Sequence, residues 1–210
     1  MLDKKLHLYR IDTQYVQELA KVDNMVMSVS THEHKETRPF IAIVFIMNCK
    51  KYCVPLTSPK PKHKRMKNST DFYKISDKNH KPLGALNFNN MIPVSDEYLH
   101  LIDINFNIND SPNQKKYKQL LRNQLNWCNK NSKTIIEKAN KLYQMITETP
   151  EKYPKLVSRC CDFKKLEGAL EEYINNRTAT SYEINKTYTE QLDEDDVLDL
   201  TIEDENLGLR

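Results

Sequence analysis

A chain of 210 residues with 39% apolar content has the length and hydrophobic material for one compact domain with a sizeable core. No apolar run approaches the roughly 20 residues that cross a bilayer, and Met1–Lys5 is too polar for the core of a signal peptide. No membrane partner is expected, and the expected location is the cytoplasm. The net charge of +3 conceals an asymmetry: ten acidic and two basic residues lie from Thr178 onward, leaving 30 basic against 19 acidic residues, a net of +11, in residues 1–177. Such a basic body suits a polyanion, because lysines and arginines that neutralise phosphates release condensed counterions. Five cysteines (Cys49, Cys53, Cys128, Cys160, Cys161) show no Cys-x-x-Cys pair and are expected as reduced, mostly buried thiols. Only three glycines are present and no phosphate-cradling glycine loop occurs, which argues against nucleotide-cofactor enzymes; no cofactor and no metal are expected.

In chain order, Leu6 to Ile11 alternates as a strand does, and Asp12 or Thr13 can cap a short helix carrying Tyr15, Val16 and Leu19. Residues 24–39 lack an apolar period and read as a polar loop. Phe40 to Met47 is a continuous apolar, β-branched run, the pattern of a buried strand, and Asn48 to Lys50 can turn it into a second strand over Lys51 to Leu56. After the basic run Lys60 to Lys67, which reads as loop, shorter strands are predicted at Asp71 to Ile75, Leu83 to Phe88 and Met91 to Val94. Helical periods follow at Gln114 to Lys130, Ser132 to Glu148 and Asp162 to Asn175; the first repeats Tyr117, Leu120, Leu121, Leu125 and Cys128, the second Ile135, Ile136, Ala139, Leu142 and Met145. Strands first and helices later predict an α+β fold, a curved antiparallel sheet with helices packed on it. Residues 1–177 form the expected domain, and the acidic tail 178–210 is expected to be disordered apart from a short amphipathic stretch around Val197 to Ile202.

The densest chemical constellation is Pro55-Leu-Thr-Ser-Pro-Lys60-Pro-Lys-His-Lys-Arg65, hydroxyls and cations crowded where an apolar strand ends. Pro59 disfavours a helical Ser58, so the segment is expected to be extended, with Ser58 and Lys60 sharing a face and Thr57 opposite. RNA cleavage without a metal needs a base for the 2′-hydroxyl proton, cations or donors for the charge building on phosphorus, and an acid for the departing oxygen. Lys60 suits the second task and the hydroxyls of Thr57 and Ser58 can bind the 2′-oxygen or a phosphate oxygen. Imidazole has the pKa a base needs, which points to the loop before the buried strand, where His32 and His34 lie with the cationic Arg38, and to His63. Lys62, His63, Lys64, Arg65 and Lys67 are candidate RNA contacts. Lys115, Lys116, Lys118 and Arg122 are also RNA-binding candidates, although a solvated helix face gives the same pattern. The His32-Glu33-His34 triplet offers no third ligand for a metal.

Successive blocks resemble one family: Pro39-Phe-Ile-Ala-Ile-Val44, Tyr52-Cys-Val-Pro-Leu-Thr-Ser-Pro-Lys60, Leu83-Gly-Ala-Leu-Asn-Phe88 and Met91-Ile-Pro-Val94 are similar to those of the ToxN/AbiQ toxins of type III toxin-antitoxin systems. Leu8-Tyr-Arg-Ile11, Lys118-Gln-Leu-Leu121 and Cys161-Asp-Phe163 through Tyr173 extend the likeness over roughly residues 6–176. The resemblance implies a fold like the Kid/MazF toxins, a strongly twisted antiparallel sheet forming a partly open barrel with surrounding helices. It implies a sequence-specific, metal-independent endoribonuclease of the bacterial cytoplasm that leaves 2′,3′-cyclic phosphate and 5′-hydroxyl ends on cellular or phage RNA. It also implies inhibition by a repeated pseudoknot RNA antitoxin, which the toxin cuts from its precursor and with which it closes cyclic protein-RNA hetero-oligomers, and a role in abortive infection by phage. The family's Thr-Ser-x-Lys string falls on Thr57, Ser58 and Lys60. Its further tyrosine and lysine fall by spacing on His34 and Arg38, two departures: imidazole replaces phenol, and guanidinium, a poorer proton donor, replaces ammonium. The competing reading is a non-catalytic RNA-binding module; a further one makes the acidic tail a phosphate mimic folded onto the basic face.

Overall fold

The computed structural model describes residues 5–27, 39–44 and 50–179, with the side chains of 42–44 excepted. The chain divides into two units, Met1–Leu170 and Glu171–Arg210. In the second, residues 171–179 are helical, Arg177 lies over the Tyr173 ring at 5.9 Å and Thr178 Oγ1 donates to Ile174 O at 3.0 Å. The expected tail beyond 179 lies outside the described residues.

In the first unit the described strands are β1 (Leu8–Ile11), β2 (Phe40–Val44), β3 (Lys51–Thr57), β4 (Phe72–Ser76), β5 (Pro82–Asn87), β6 (Ile92–Pro93) and β7 (Leu99–Leu101). The helices are α1 (Thr13–Val22), α2 (Pro61–Arg65), α3 (Pro112–Lys130), α4 (Ser132–Thr147), α5 (Pro154–Val157) and α6 (163–170). The expected elements therefore stand, with most boundaries within two residues; the expected end of β2 at Met47 lies outside the described residues, and helical residues continue to 179, past the expected end at Asn175. β7, α2 and α5 are additions: Leu-His-Leu is too short for a period, α2 forms within a basic run that carries no apolar pattern, and α5 is a single turn. The expected turn at Asn48 and Cys49 lies outside the described residues, yet β2 and β3 pair antiparallel from Val44↔Lys51 to Phe40↔Pro55, as a hairpin requires.

All seven strands form one antiparallel sheet in the order β4-β5-β3-β2-β1-β7, with β6 beside β3. It is α+β as expected, and open, because β4 and β7 stand at opposite edges. β3 lies at the centre and is buried continuously from Tyr52 to Leu56, which explains why its sequence does not alternate. One edge of β3 meets β2 throughout; the other meets β6 at Tyr52 and Cys53, then β5 at Leu56 and Thr57. Pro55, with no N–H for a ladder, falls at the break between those two partners. The core gathers Leu8, Tyr15, Leu19, Ile41, Tyr52, Leu56, Ile75, Leu86, Phe88, Met91 and Phe163, all fully buried.

Helix ends follow their caps. Asp12 accepts from Tyr15 N–H at 2.8 Å to start α1, and Ser111 and Gln114 make reciprocal bonds at the start of α3. In α3 the apolar stripe is narrower than its sequence suggests: Leu121 and Cys128 are buried with Gln124 between them, whereas Leu120 and Leu125 are half-buried and Tyr117 is exposed. Cys53, Cys128, Cys160 and Cys161 are buried free thiols, and burial raises the Cys128, Cys160 and Cys161 pKa values to about 12. Cys49 lies outside the described residues.

Glu167 of α6 is a buried carboxylate at the head of β3. It accepts from Tyr52 and Tyr143 hydroxyls, each at 2.7 Å, and pairs with Lys50 at 3.0 Å and Lys164 at 3.3 Å. Burial alone would raise its pKa, but the bonds from Tyr52, Tyr143 and Lys50 win and hold it below its ordinary 4.5. Its share of stability is therefore full above pH 4.5 and is lost as pH falls through the depressed folded value. Urea unfolding from pH 7 to pH 3 is expected to show a shallower acid loss in Glu167→Gln than in the parent, and the variant is expected to be weaker by about 1–3 kcal/mol at pH 7.

Candidate active site

The candidate site is the exit of β3. Thr57 is the last residue of the strand, Ser58, Pro59 and Lys60 follow as exposed chain outside any helix or strand, and Pro61 opens α2. Both Ser58 and Lys60 precede a proline, which drives the preceding residue to extended backbone; Lys60 sits at φ −122°, ψ 149°. Pro61 suits the first helical position because the N–H it lacks would be unused there. Among the described residues the Ser58 hydroxyl and the Lys60 ammonium have no hydrogen-bond or ion-pair partner, so both are available to a ligand. The Thr57 hydroxyl donates weakly to Ala85 O at 3.4 Å.

The geometry of this exit is set from β5 and α3. Gly84 has φ +149°, a region that L side chains rarely enter; a Cβ there would overlap the Thr57 carbonyl oxygen and lie 2.5 Å from Gln124 Nε2. Only glycine lets β5 come this close. Gln124, 1% exposed, fills the gap from α3, its amide donating to Leu83 O at 2.8 Å and to Thr57 O at 3.3 Å. On the other side, Leu56 N–H donates to Pro39 O at 2.9 Å, so the chain enters β2 beside the point where it leaves β3. His32, His34 and Arg38 precede that entry and lie outside the described residues.

The basic run divides into two kinds of residue. Lys62, Lys64, Arg65 and Lys67 are exposed or nearly so, but His63 is buried at 3%. Its Nδ1 accepts from Lys60 N–H at 3.3 Å while its backbone N–H donates to Lys60 O at 2.9 Å, and its ring meets Phe72 edge-on at 5.7 Å. Burial first, then the charges of Lys62 and Lys60, lower its pKa, leaving a neutral imidazole that locks the start of α2. On α3, Lys115 and Lys116 are exposed, whereas Lys118 binds Asp110 at 2.8 Å and Asn105 O at 2.7 Å. Arg122 donates to Ile104 O at 2.7 Å and lies 4.0 Å over the Phe106 ring. Lys118 and Arg122 thus serve to hold the loop before α3. Among the described residues no group of three or more metal-ligating side chains occurs, and no helix is long and apolar enough to cross a membrane.

Sequence reasoning misses Gly84 and Gln124 as site residues. For Gln124 a signal exists: it stands one turn from Leu121 and from Cys128, a polar residue in the middle of an apolar stripe.

An open antiparallel sheet whose central strand runs out into an exposed serine and lysine, both without partners among the described residues, defines a small α+β protein with a hydroxyl and an ammonium presented at the end of that strand. A family model described as toxin ToxN, type III toxin-antitoxin system, matches residues 7–171. The chain is 32% identical over 168 residues to Endoribonuclease ToxN of Bacillus thuringiensis subsp. kurstaki, covering 79% of this chain and 82% of that one. It is 27% identical over 171 residues to Endoribonuclease ToxN of Pectobacterium atrosepticum, covering 80% and 94%. Among solved structures, a type III toxin described as selectively inhibited by a non-coding RNA pseudoknot superimposes with a TM-score of 0.68 at 30% identity, covering 81% of this chain and 98% of that one. AbiQ, a lactococcal anti-phage endoribonuclease, superimposes with a TM-score of 0.70 at 25% identity, covering 81% and 99%. The chain belongs to the ToxN toxin family of type III toxin-antitoxin systems.

Replacing Gly84 by Ala is expected to lower stability by about 2–4 kcal/mol, because overlap and a strained φ coincide. Gln124→Leu, which leaves two carbonyls without their donor, is expected to cost about 1–3 kcal/mol. Thermal melts of the two variants beside the parent check both values.

Proposed function

We propose that this chain cleaves RNA by attack of a ribose 2′-hydroxyl on the adjacent phosphorus, without a metal, leaving 2′,3′-cyclic phosphate and 5′-hydroxyl ends. As a member of the ToxN family it is an endoribonuclease toxin of a type III toxin-antitoxin system. The observation that supports the site is the exit of β3, where Ser58 and Lys60 stand exposed and unpartnered among the described residues, on backbone held by Gly84, Gln124 and two prolines.

In this reading Lys60 neutralises the negative charge that builds on the phosphate oxygens, the largest single contribution available to a site of this kind. The hydroxyls of Ser58 and Thr57 orient the ribose and phosphate, and His34 or Arg38 assists with protons or charge. Adjacency of the β2 entry to the β3 exit, through the Pro39–Leu56 bond, supports a contribution from the residues before Pro39. Lys62, Lys64, Arg65, Lys67, Lys115 and Lys116 hold flanking phosphates.

The partner is a repeated pseudoknot RNA that inhibits the toxin and is processed by it, in a cyclic protein-RNA assembly; the substrates are cellular or phage RNAs in the bacterial cytoplasm. Relatives support this: one is inhibited by an RNA pseudoknot, another belongs to an antiviral system regulated by a processed non-coding RNA, and AbiQ is an anti-phage endoribonuclease.

Expressed without its antitoxin RNA, the parent is expected to arrest growth and cut RNA, and Lys60→Ala to lose about 100-fold or more in cleavage rate. Ser58→Ala is expected to lose less. Variants as toxic and as active as the parent would overturn the assignment. Cleavage is expected to persist in excess EDTA; loss on chelation that zinc or magnesium restores would point instead to a metal held at His32 and His34.

A further inference from the structure

Beside the β3 exit lies a groove of about 300 Å³ between α2 and the β4–β5 hairpin, lined by His63, Lys64, Lys74, Ser76 and His80 with Pro82 and Gly84. Two lysines, two histidines and a hydroxyl face one concavity, and among the described residues no carboxylate lines it. Neither Lys64 nor Lys74 has an ion-pair partner among the described residues, in contrast to Lys118 on its Asp110. The nearby carboxylate, Asp77, is turned into its own loop, where it accepts from the N–H groups of Asn79 at 2.9 Å and Lys81 at 2.8 Å.

Two residues of the groove adopt arrangements that packing does not require. His80 has φ +60°, the only non-glycine residue at positive φ among those described, in a turn where glycine would be unstrained. His63 gives its Nδ1 lone pair to Lys60 N–H, which leaves the proton of the neutral ring on Nε2, and among the described residues nothing accepts from it. The groove is also coupled to the exit of β3 by its own lining: His63 bonds the backbone of Lys60, and Gly84 lies against the Thr57 carbonyl.

We infer that this groove is a phosphate subsite, in which Lys64, Lys74, His63 and His80 hold the phosphodiester of a nucleotide flanking the one at Ser58 and Lys60. The inference rests on the endoribonuclease reading for its ligand, a single RNA strand that crosses the end of β3. Lys64 and Lys74 supply charge, while the imidazole N–H of His63 and the side chain of His80 donate from the two sides of the groove. The backbone of the RNA is what it recognises, so it adds affinity without adding base preference.

The probe is a fluorescent single-stranded 2′-O-methyl octanucleotide, which has no free 2′-hydroxyl and stays uncut, followed by anisotropy at several salt concentrations. Lys64→Ala/Lys74→Ala is expected to bind about 10-fold more weakly, with the slope of log K against log salt reduced by about 0.7 for each phosphate that the variant no longer neutralises. The pair Lys133→Ala/Lys141→Ala, an equal removal of positive charge on α4, is expected to stay within about two-fold of the parent. His80→Gly relieves the turn, so it is expected to melt no lower than the parent and yet bind more weakly. An unchanged slope in the groove variant, or an equal weakening in the α4 pair, overturns the subsite. If Lys60→Ala stops cleavage while the groove variants bind as the parent does, the subsite fails and the active site stands. If Lys60→Ala still cuts RNA while the groove variants lose binding, the active-site reading fails and the groove stands.

Discussion

The close approach of β5 to the carbonyl of Thr57 is the constraint on which the site depends. A central strand normally ends where its partners end, and its exit is free to swing. Here the Thr57 oxygen sits against Gly84, where no side chain fits, and Gln124 bridges it to the Leu83 carbonyl. The other end of β3 is treated in the same way, since Glu167 binds Lys50 and Tyr52 at its start. One buried polar side chain from α6 and another from α3 therefore fix the strand at both ends. Apolar packing alone would not do this, because it is non-directional; a buried hydrogen-bonding group has to find its partner at a defined position or lose stability.

Much of this is legible in the sequence, and what is not has a physical cause. The order of strands and helices follows from the apolar patterns, because each element is long enough for its period to show. β7 escapes because three residues cannot display alternation, and α2 escapes because a five-residue helix with four cationic or imidazole side chains looks like loop. The extended backbone at Lys60 is readable from Pro61. Neither the Thr57–Gly84 approach nor the Glu167 cluster is, since both join residues far apart in sequence through single atoms. Gln124 and Glu167 share one trace: each occupies a position that helical spacing assigns to the core. A polar residue there signals a buried bond without naming its partner. The string Thr57-Ser58-Pro59-Lys60 stands out as chemistry, but its meaning comes from resemblance, because hydroxyls and a lysine in a basic protein are compatible with plain loop.

The electrostatics show which cations the fold consumes and which it leaves. Lys50, Lys118 and Arg159 each meet a carboxylate: Glu167 at 3.0 Å, Asp110 at 2.8 Å and Asp71 at 2.7 Å. Those pairs tie the start of β3 to α6, the loop before α3 to α3, and the segment after α5 to the residue before β4. Lys60, Lys64 and Lys74 have no such partner among the described residues, and all three lie around the end of β3 or the groove beside it. Net charge alone cannot make this distinction. Thirty basic residues in 1–177 suggest a polyanion surface everywhere, whereas ion pairing marks Lys50, Lys118 and Arg159 as cations that the fold itself uses.

Rigid presentation of that charge is what the proposed cleavage without a metal most needs. A mobile lysine in water loses entropy and hydration when it meets a developing negative charge; one held by its backbone has already lost part of the entropy. Pro59 and Pro61 restrict the residues before them, His63 holds both the N–H and the C=O of Lys60, and Gln124 holds the strand from which the string departs. Pro39, bonded to Leu56, brings the start of β2 to the same place. The start of β2 and the exit of β3 thus meet at a junction set by one backbone hydrogen bond between neighbouring strands.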